Sequence, residues 1–345
     1  MILRTPMLLI AILLFPPTWS TAQEPTEETL DVYVIDADGG HATLYVSPLG
    51  ESMLVDTGYP GFDGRDADRI VAAANHAGVS QIDYLVTTHY HGDHVGGVMQ
   101  LAERLPIRNF VDHGPTSEQG ERAEPYRSYL EVRETGTHIE VQAGDQIPVA
   151  GLDVRVLSSG AGLLGVPLEG GGIPNPLCAT FRPMRDETSD DAHSVGTHIA
   201  YGEFNLVNLG DLSWNQEYGL VCPTNRIGTV DVLQASQHGD DEAGSATFVH
   251  ALRPKVGITN NGASKAAIQP IIQTLLTSPG IRDVWQLHYS LLGNRLNVSE
   301  EFIANIGQDD EAHTGHWLLL SAVADGSFTV TNGRTGNTRT YAAGD

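Results

Sequence analysis

The stretch Ile82-Asp-Tyr-Leu-Val-Thr-Thr-His89-Tyr-His91-Gly-Asp93-His94-Val-Gly-Gly97 constrains this chain more than any other. A short apolar run ends at Val86, and three histidines and an aspartate then fall within six positions. Imidazole nitrogen and carboxylate oxygen are ligands that suit zinc and similar divalent ions. His89 and His91, two apart, point the same way while the segment stays extended. Asp93 and His94 face a second centre as the chain turns toward a helix, so one tight loop feeds two metals. Random shuffling of this composition gives such a pattern only roughly 0.003 times per chain. Crowding four such groups together without a cation would be costly to desolvate.

Composition narrows the classes. Among 345 residues, 41% are hydrophobic and 18% charged, which excludes a disordered, collagenous or multi-span membrane chain. The formal charge of −24 repels phosphate backbones, so a long nucleic acid is not an expected partner and a small-molecule substrate is. Residues 1–22 read as a secretory signal: Arg4, an apolar run Met7–Phe15, then Ser20-Thr-Ala22. That run is too short to span a bilayer, which needs about 20 residues. No stable membrane insertion is therefore expected after its removal, and the mature protein is placed in the periplasm or outside the cell. Cys178 and Cys222 suit either a disulfide, which export permits, or two buried thiols.

Residues 23–345 read as one domain. Asp31–Ile35, Ala42–Val46 and Ser52–Asp56 alternate as strands around the turn signals Asp38-Gly-Gly40 and Pro48-Leu-Gly50, a pattern for an antiparallel meander. Arg65–Ala77 and Val98–Glu103 are helix-like, and Ile82–Val86 and Arg108–Val111 strand-like. Residues 114–190 read as a loop-rich insertion, with a Gly-rich Gly160–Gly172 and a charged Arg182–Asp191. Further strands are expected at Phe204–Leu209, Val230–Ala235, Trp317–Val323, Ser327–Thr331 and Thr338–Tyr341, and a helix at Ala266–Thr277. Two sheets covered by helices accommodate this order. Asp211, after an apolar strand and a glycine, falls at a strand end beside a turn; taken alone it also fits a helix cap.

With these residues in view, the chain resembles the metallo-β-lactamase-fold hydrolase superfamily. It is most similar to the competence-type (ComEC-like) subgroup of DNA-uptake proteins. The resemblance rests on Val34–Leu44 followed by Leu54-Val-Asp-Thr-Gly58, on the His89–His94 motif, on Phe204–Asp211 and on Leu233–Gly239. It implies an α/β (α+β) fold, a four-layer αββα sandwich. It also implies two divalent metal ions, zinc first and manganese or iron as alternatives. Carried over by position, His89 and His91 hold the first metal, Asp93, His94 and His238 the second, and Asp211 touches both. The third ligand of the first metal is expected at His193, preferred to His198. Gln237 stands where the subgroup often has a histidine, a change expected to alter the ligand's surroundings and not the ligand count.

His113, Asn260 and His288, each at an expected strand end, are candidates for lining the substrate pocket; turn-forming or structural roles are their alternatives. Asp93 is the expected catalytic group, orienting the nucleophile or taking its proton. No Ser-His or Cys-His signature, Gly-x-Ser-x-Gly elbow or phosphate loop is present. The expectation is an exported dinuclear hydrolase using a metal-bridging hydroxide on a small phosphoester or phosphodiester. A lactone or β-lactam hydrolase, a redox protein and an exported metal-binding protein without turnover are the rivals.

Overall fold

The computed structural model describes residues 28–293, 296–307 and 315–344; the expected signal segment lies outside them. Two nine-stranded sheets dominate the described residues. In the first, the order runs Thr338–Tyr341, Phe328–Asn332, Leu318–Ala322, Leu30–Val34, Thr43–Val46, Ser52–Val55, Ile82–Val86, Ile107–Asp112, Thr137–Glu140. The opening strands form the antiparallel meander that their alternation and glycine turns require, with Val34 opposite Thr43 and Thr43 opposite Val55. From Ser52–Val55 onward neighbours are parallel, which needs crossovers, and helices supply the first two. These are α1 (Arg65–His76) and α2 (Val98–Ala102).

The second sheet carries the parallel run Phe204–Asn208, Val232–Gln234, Val256–Thr259, Asp283–His288 and Ile303–Asn305. Antiparallel Gly196–Tyr201 and Asp153–Ser159 continue it on the other side. The facing surfaces of the sheets share one core: Val32, Val55 and Leu320 from the first meet Val154, Leu206, Val256 and Trp285 from the second. Outside the first sheet pack α1, α2 and α3 (Glu124–Arg133), through Ile70, Ala74, Leu101 and Tyr129. Outside the second lie α4 (Trp214–Val221), α5 (Ala246–Leu252) and α6 (Gln269–Leu276), through Leu220, Phe248 and Leu275. This is the expected four-layer αββα sandwich. Each buried aromatic of the Trp285 kind holds about 3–5 kcal/mol against truncation to alanine.

The reading of 114–190 as a loop-rich insertion is corrected in its first half. Residues 124–159 contain α3 and Asp153–Ser159, whose Val154, Val156 and Leu157 are fully buried. Irregular chain is concentrated after Ser159. Cys178 and Cys222 form a disulfide, Cα atoms 5.8 Å apart, tying that irregular segment to the end of α4. No helix among the described residues is long and apolar enough to cross a membrane.

Candidate metal centre

The carboxyl ends of parallel strands from both sheets point to one edge of the sandwich, where open α/β sheets gather their polar groups. Ile82–Val86 delivers the His89–His94 loop, Phe204–Asn208 delivers Asp211, Val232–Gln234 delivers His238, and Val256–Thr259 delivers Asn260. Close approach of the loops depends on glycine. Gly210 has φ +57°, and a Cβ there would lie 2.7 Å from that of Thr88. Gln237 and His238 themselves adopt φ +51° and +56°, a conformation that L residues hold only when their surroundings enforce it.

Two donor groups result. In the first, Oδ1 of Asp191 lies 3.1 Å from Nε2 of His89 and 2.8 Å from Nδ1 of His91. In the second, Asp93, His94, Asp211 and His238 converge. Nε2 of His94 is 3.2 Å from Oδ2 of Asp211 and 3.2 Å from Nε2 of His238, and Asp93 completes the ring 3.5 Å from His238. The groups adjoin, for the His89 and His94 rings are 4.1 Å apart. The charge of Asp211 acts on His89 and Asp191 as well as on His94 and His238.

Nε2 of His89, Oδ1 of Asp191 and Oδ1 of Asp211 are buried and, close as their neighbours lie, make no aligned hydrogen bond. Orphaned acceptors at such density fit a cation and are costly without one. Burial opposes the charge of Asp211 and of Asp93, but the surrounding histidines hold both carboxyls well below the usual range. Burial likewise opposes a charged His94, and Asp211, Asp93 and Asp56 outweigh it, raising the imidazole well above its ordinary value. For His91 burial is outweighed by Asp191 and Glu118, which push it up to about 9.

A second layer aims the ligands. Asp56, at φ +61° just past Ser52–Val55, takes the amide and hydroxyl of Thr88 at 2.8 and 2.7 Å and lies 2.7 Å from Nδ1 of His94. Held there, His94 presents Nε2 to the pocket. Behind Asp56 lies His41, Nδ1 at 3.1 Å. Its Nε2 faces the amide nitrogens of Asn208 and Gln234 at 3.3 and 3.0 Å, so Nε2 accepts and Nδ1 carries the proton toward Asp56. Glu118 sits 3.2 Å from Nε2 of His91, and Gln237 donates to the Asp211 carbonyl at 2.7 Å.

The structure thus brings together His89, His91, Asp93, His94, Asp211 and His238. It corrects the others. His193 is in neither group; its Nδ1 lies 3.3 Å from the Ser189 carbonyl and its ring neighbours His113. His198, on Gly196–Tyr201, lines a different cavity with Arg155 and Glu203, and burial depresses it to about 4. The carboxylate Asp191 stands where a histidine was expected. His113 does not line the pocket: it reaches Asp190 at 3.3 Å, whose carboxylate also takes the Tyr90 and Ser117 amides. His288 is buried on Asp36 at 2.6 Å. Asn260 is buried with its amide nitrogen 3.0 Å from Nδ1 of His238, where it aims a candidate ligand.

Sequence reasoning missed Asp191, Lys265, and the bracing roles of Asp56 and His41. Asp191 sat in a charged run with no metal-ligand spacing. Lys265 donates to the Asp93 carboxylate and lies 3.3 Å from the Tyr59 hydroxyl; its rarity, one of two lysines, was the available signal.

The fold and centre agree with the family comparison, in which residues 35–178 match the model of the metallo-beta-lactamase superfamily. Two relatives that align along more than half of this chain are competence proteins. Competence protein ComA of Neisseria gonorrhoeae is 24% identical over 74% of this chain and 31% of its own length. ComE operon protein 3 of Bacillus subtilis is 26% identical over 56% of this chain and 22% of its own. A hydroxyacylglutathione hydrolase of Rhodopseudomonas palustris is 31% identical over 28% of this chain and 32% of its own. The chain thus spans about a third or less of these curated relatives. Among solved structures, the metallo-beta-lactamase fold protein YhfI of Bacillus subtilis matches with a TM-score of 0.48 and 11% identity, covering 85% of this chain and 100% of that one.

Proposed function

We propose that this protein is an exported metal-dependent hydrolase whose mature chain, residues 23–345, acts as one domain. His89, His91 and Asp191 hold one divalent cation, Asp93, His94 and His238 a second, and Asp211 serves both. One observation carries the reading: histidine and carboxylate donors from four separate chain regions gather in two adjoining groups, and three of their buried atoms, on His89, Asp191 and Asp211, make no aligned hydrogen bond. Imidazole and carboxylate suit zinc, and the carboxylate share suits manganese or iron as well. When bound, such a pair supplies a water of pKa near 7 and a Lewis acid for the polarised bond.

The protein's own groups do the rest. Asp56 and Glu118 hold the far nitrogens of His94 and His91. The Asn260 amide nitrogen lies 3.0 Å from Nδ1 of His238 and fixes the orientation of that ring, whose Nε2 faces the other ligands. Asp93 faces the pocket and takes the proton of the attacking water. No side chain acts as nucleophile.

The substrate is a small phosphoester or phosphodiester. A ribonuclease Z of Methanopyrus kandleri, 31% identical over 36% of this chain and 42% of its own, supports phosphorus chemistry. The charge of −24 argues for a small molecule. A carbonyl substrate is the second reading, favoured by the hydroxyacylglutathione hydrolase relatives and by carboxylates lining one side of the pocket. The disulfide suits an oxidising compartment and supports export. Zinc- and manganese-loaded mature protein should turn over one class in a panel of chromogenic phosphodiesters, phosphomonoesters, lactones and β-lactams, and Asp211→Asn should abolish that turnover. Silence across the panel at two metal equivalents would sink the hydrolase reading in favour of a binding protein.

A further inference from the structure

The pocket is polarised, and its positive end rests on one residue. Lys255, the other lysine of the chain, is a structural partner, paired with Asp231 at 3.0 Å. Lys265 stands differently. Its ammonium donates to Asp93, lies 3.3 Å from the Tyr59 hydroxyl and keeps 35% of its side chain exposed.

The backbone is distorted to put it there. Ala266 and Ala267, both fully buried, follow at φ +63° and +46°. Gly39 and Gly262 let neighbouring chain close on this turn: a Cβ on Gly39 would lie 2.9 Å from that of Lys265, and one on Gly262 would lie 2.7 Å from the Asp38 carbonyl carbon. Strain in L residues beside a reactive cluster is a mark of placement for function.

On the His91–Asp191 side the wall has the opposite sign. A groove of about 420 Å³ is lined by His91, Glu121, Asp191, Glu187 and Glu242, with Arg122 as its one fixed cation. Asp93 cannot satisfy a lysine and a metal dication equally. Once a cation takes that carboxylate, the ammonium and the Tyr59 hydroxyl are left facing the pocket, and an anion is what they can bind.

We propose that Lys265 and Tyr59 form an anion subsite that holds one phosphate or carboxylate group of the substrate at the Asp93–His238 end of the pocket. This rests on the hydrolase reading above and specifies its substrate: a single anionic group at the Lys265 end, and no second one along the carboxylate-lined groove. Lys265 binds by charge and position, Tyr59 by its hydroxyl. A polyanion fits one end of the pocket only.

The test uses metal-loaded protein with inorganic phosphate and acetate as probes, followed by calorimetry, and metal content measured alongside. Lys265→Met is expected to weaken phosphate at least about tenfold while both metal equivalents stay bound; Lys265→Arg recovers most of the affinity. Tyr59→Phe should lose about two- to fivefold. The phosphate and acetate arms tell which anion the subsite prefers. With esters, the rise in KM caused by Lys265→Met on bis(p-nitrophenyl) phosphate should exceed that on neutral p-nitrophenyl acetate by about tenfold, kcat moving less. Unchanged phosphate affinity in Lys265→Met would overturn the proposal. So would loss of metal in that variant, because Lys265 would then only position Asp93. If no ester is turned over, the hydrolase reading fails, but the calorimetry still decides the subsite.

Discussion

Asp191 changes the character of the centre more than any other single side chain. With it, each donor group offers two imidazoles and a carboxylate, and Asp211 lies between them. Three carboxylates nearly neutralise two dications, whereas a histidine at 191 would leave more positive charge uncompensated in a buried place. Asp191→Asn is therefore expected to lower metal stoichiometry from two equivalents toward one, with Asp211→Asn weakening both. Asp191→His should shift the balance from manganese toward zinc by at least about tenfold in relative affinity. Competitive loading followed by elemental analysis, with the Mn(II) resonance as a second signal, checks this. Unchanged stoichiometry in Asp191→Asn would remove Asp191 from the ligand set. The sequence concealed this residue for a physical reason. Carboxylates are abundant on any soluble surface, so one acid in the run Arg182–Asp191 carries no mark. The His89–His94 cluster was legible because its residue types are costly to crowd.

At the level of elements, α4 and the turn Glu242–Ser245 are joined by a buried carboxyl. Glu217 is fully buried, accepts the Gly244 amide at 2.8 Å, and has been pushed up to about 7 by that burial. Its folded pKa lies above the unfolded 4.5, so the folded state binds more protons between those values. Stability from this group is complete below pH 4.5 and falls as pH rises toward 7. Glu217→Gln should remove that slope and leave the variant more stable than the parent at pH 8, by up to about 3 kcal/mol. Urea unfolding at pH 5 and pH 8 reads the difference; parallel pH profiles would show that Glu217 is not the group responsible. A second element-level test is Gly210→Ala, which forces a Cβ against Thr88 at positive φ. A loss of about 1–3 kcal/mol is expected, with metal affinity falling because Thr88 and Asp56 shift together.

Legibility followed burial pattern. The meander, α1, Ile82–Val86 and the terminal strands matched their expected spans within two residues, because one-sided burial writes alternation or a helical stripe into sequence. Helix α3 buries little beyond Tyr129 and Val132, and its charged remainder reads as loop. Asp153–Ser159 did alternate, but the glycine-rich chain after it drew the whole region into one irregular reading. His113 and His288 show the limit of strand-end logic: both end strands as expected, yet both are spent on Asp190 and Asp36 inside the framework.

At the scale of the whole molecule, charge outweighs everything local. Forty-three acids face nineteen Lys and Arg, giving −24 over the full sequence. Some carboxylates are internally matched, as Asp36 is by Arg69 and Asp112 by Arg133. Those pairs are short-ranged and little affected by salt, while the excess repels itself over distances that salt controls. The Debye length shrinks from about 30 Å at 0.01 M to about 3 Å at 1 M, so repulsion across the molecule is removed in that range. The melting temperature of the metal-loaded protein should therefore climb steadily with sodium chloride over that interval and level off near its upper end. Phosphate binding at the Lys265 end should weaken over the same interval, since the attraction there is electrostatic too. Opposite responses of stability and anion affinity to one salt series separate a global repulsion from a local cation. A melting temperature that stays flat would mean that the excess charge is already neutralised, and differential calorimetry across the series is the measurement that decides.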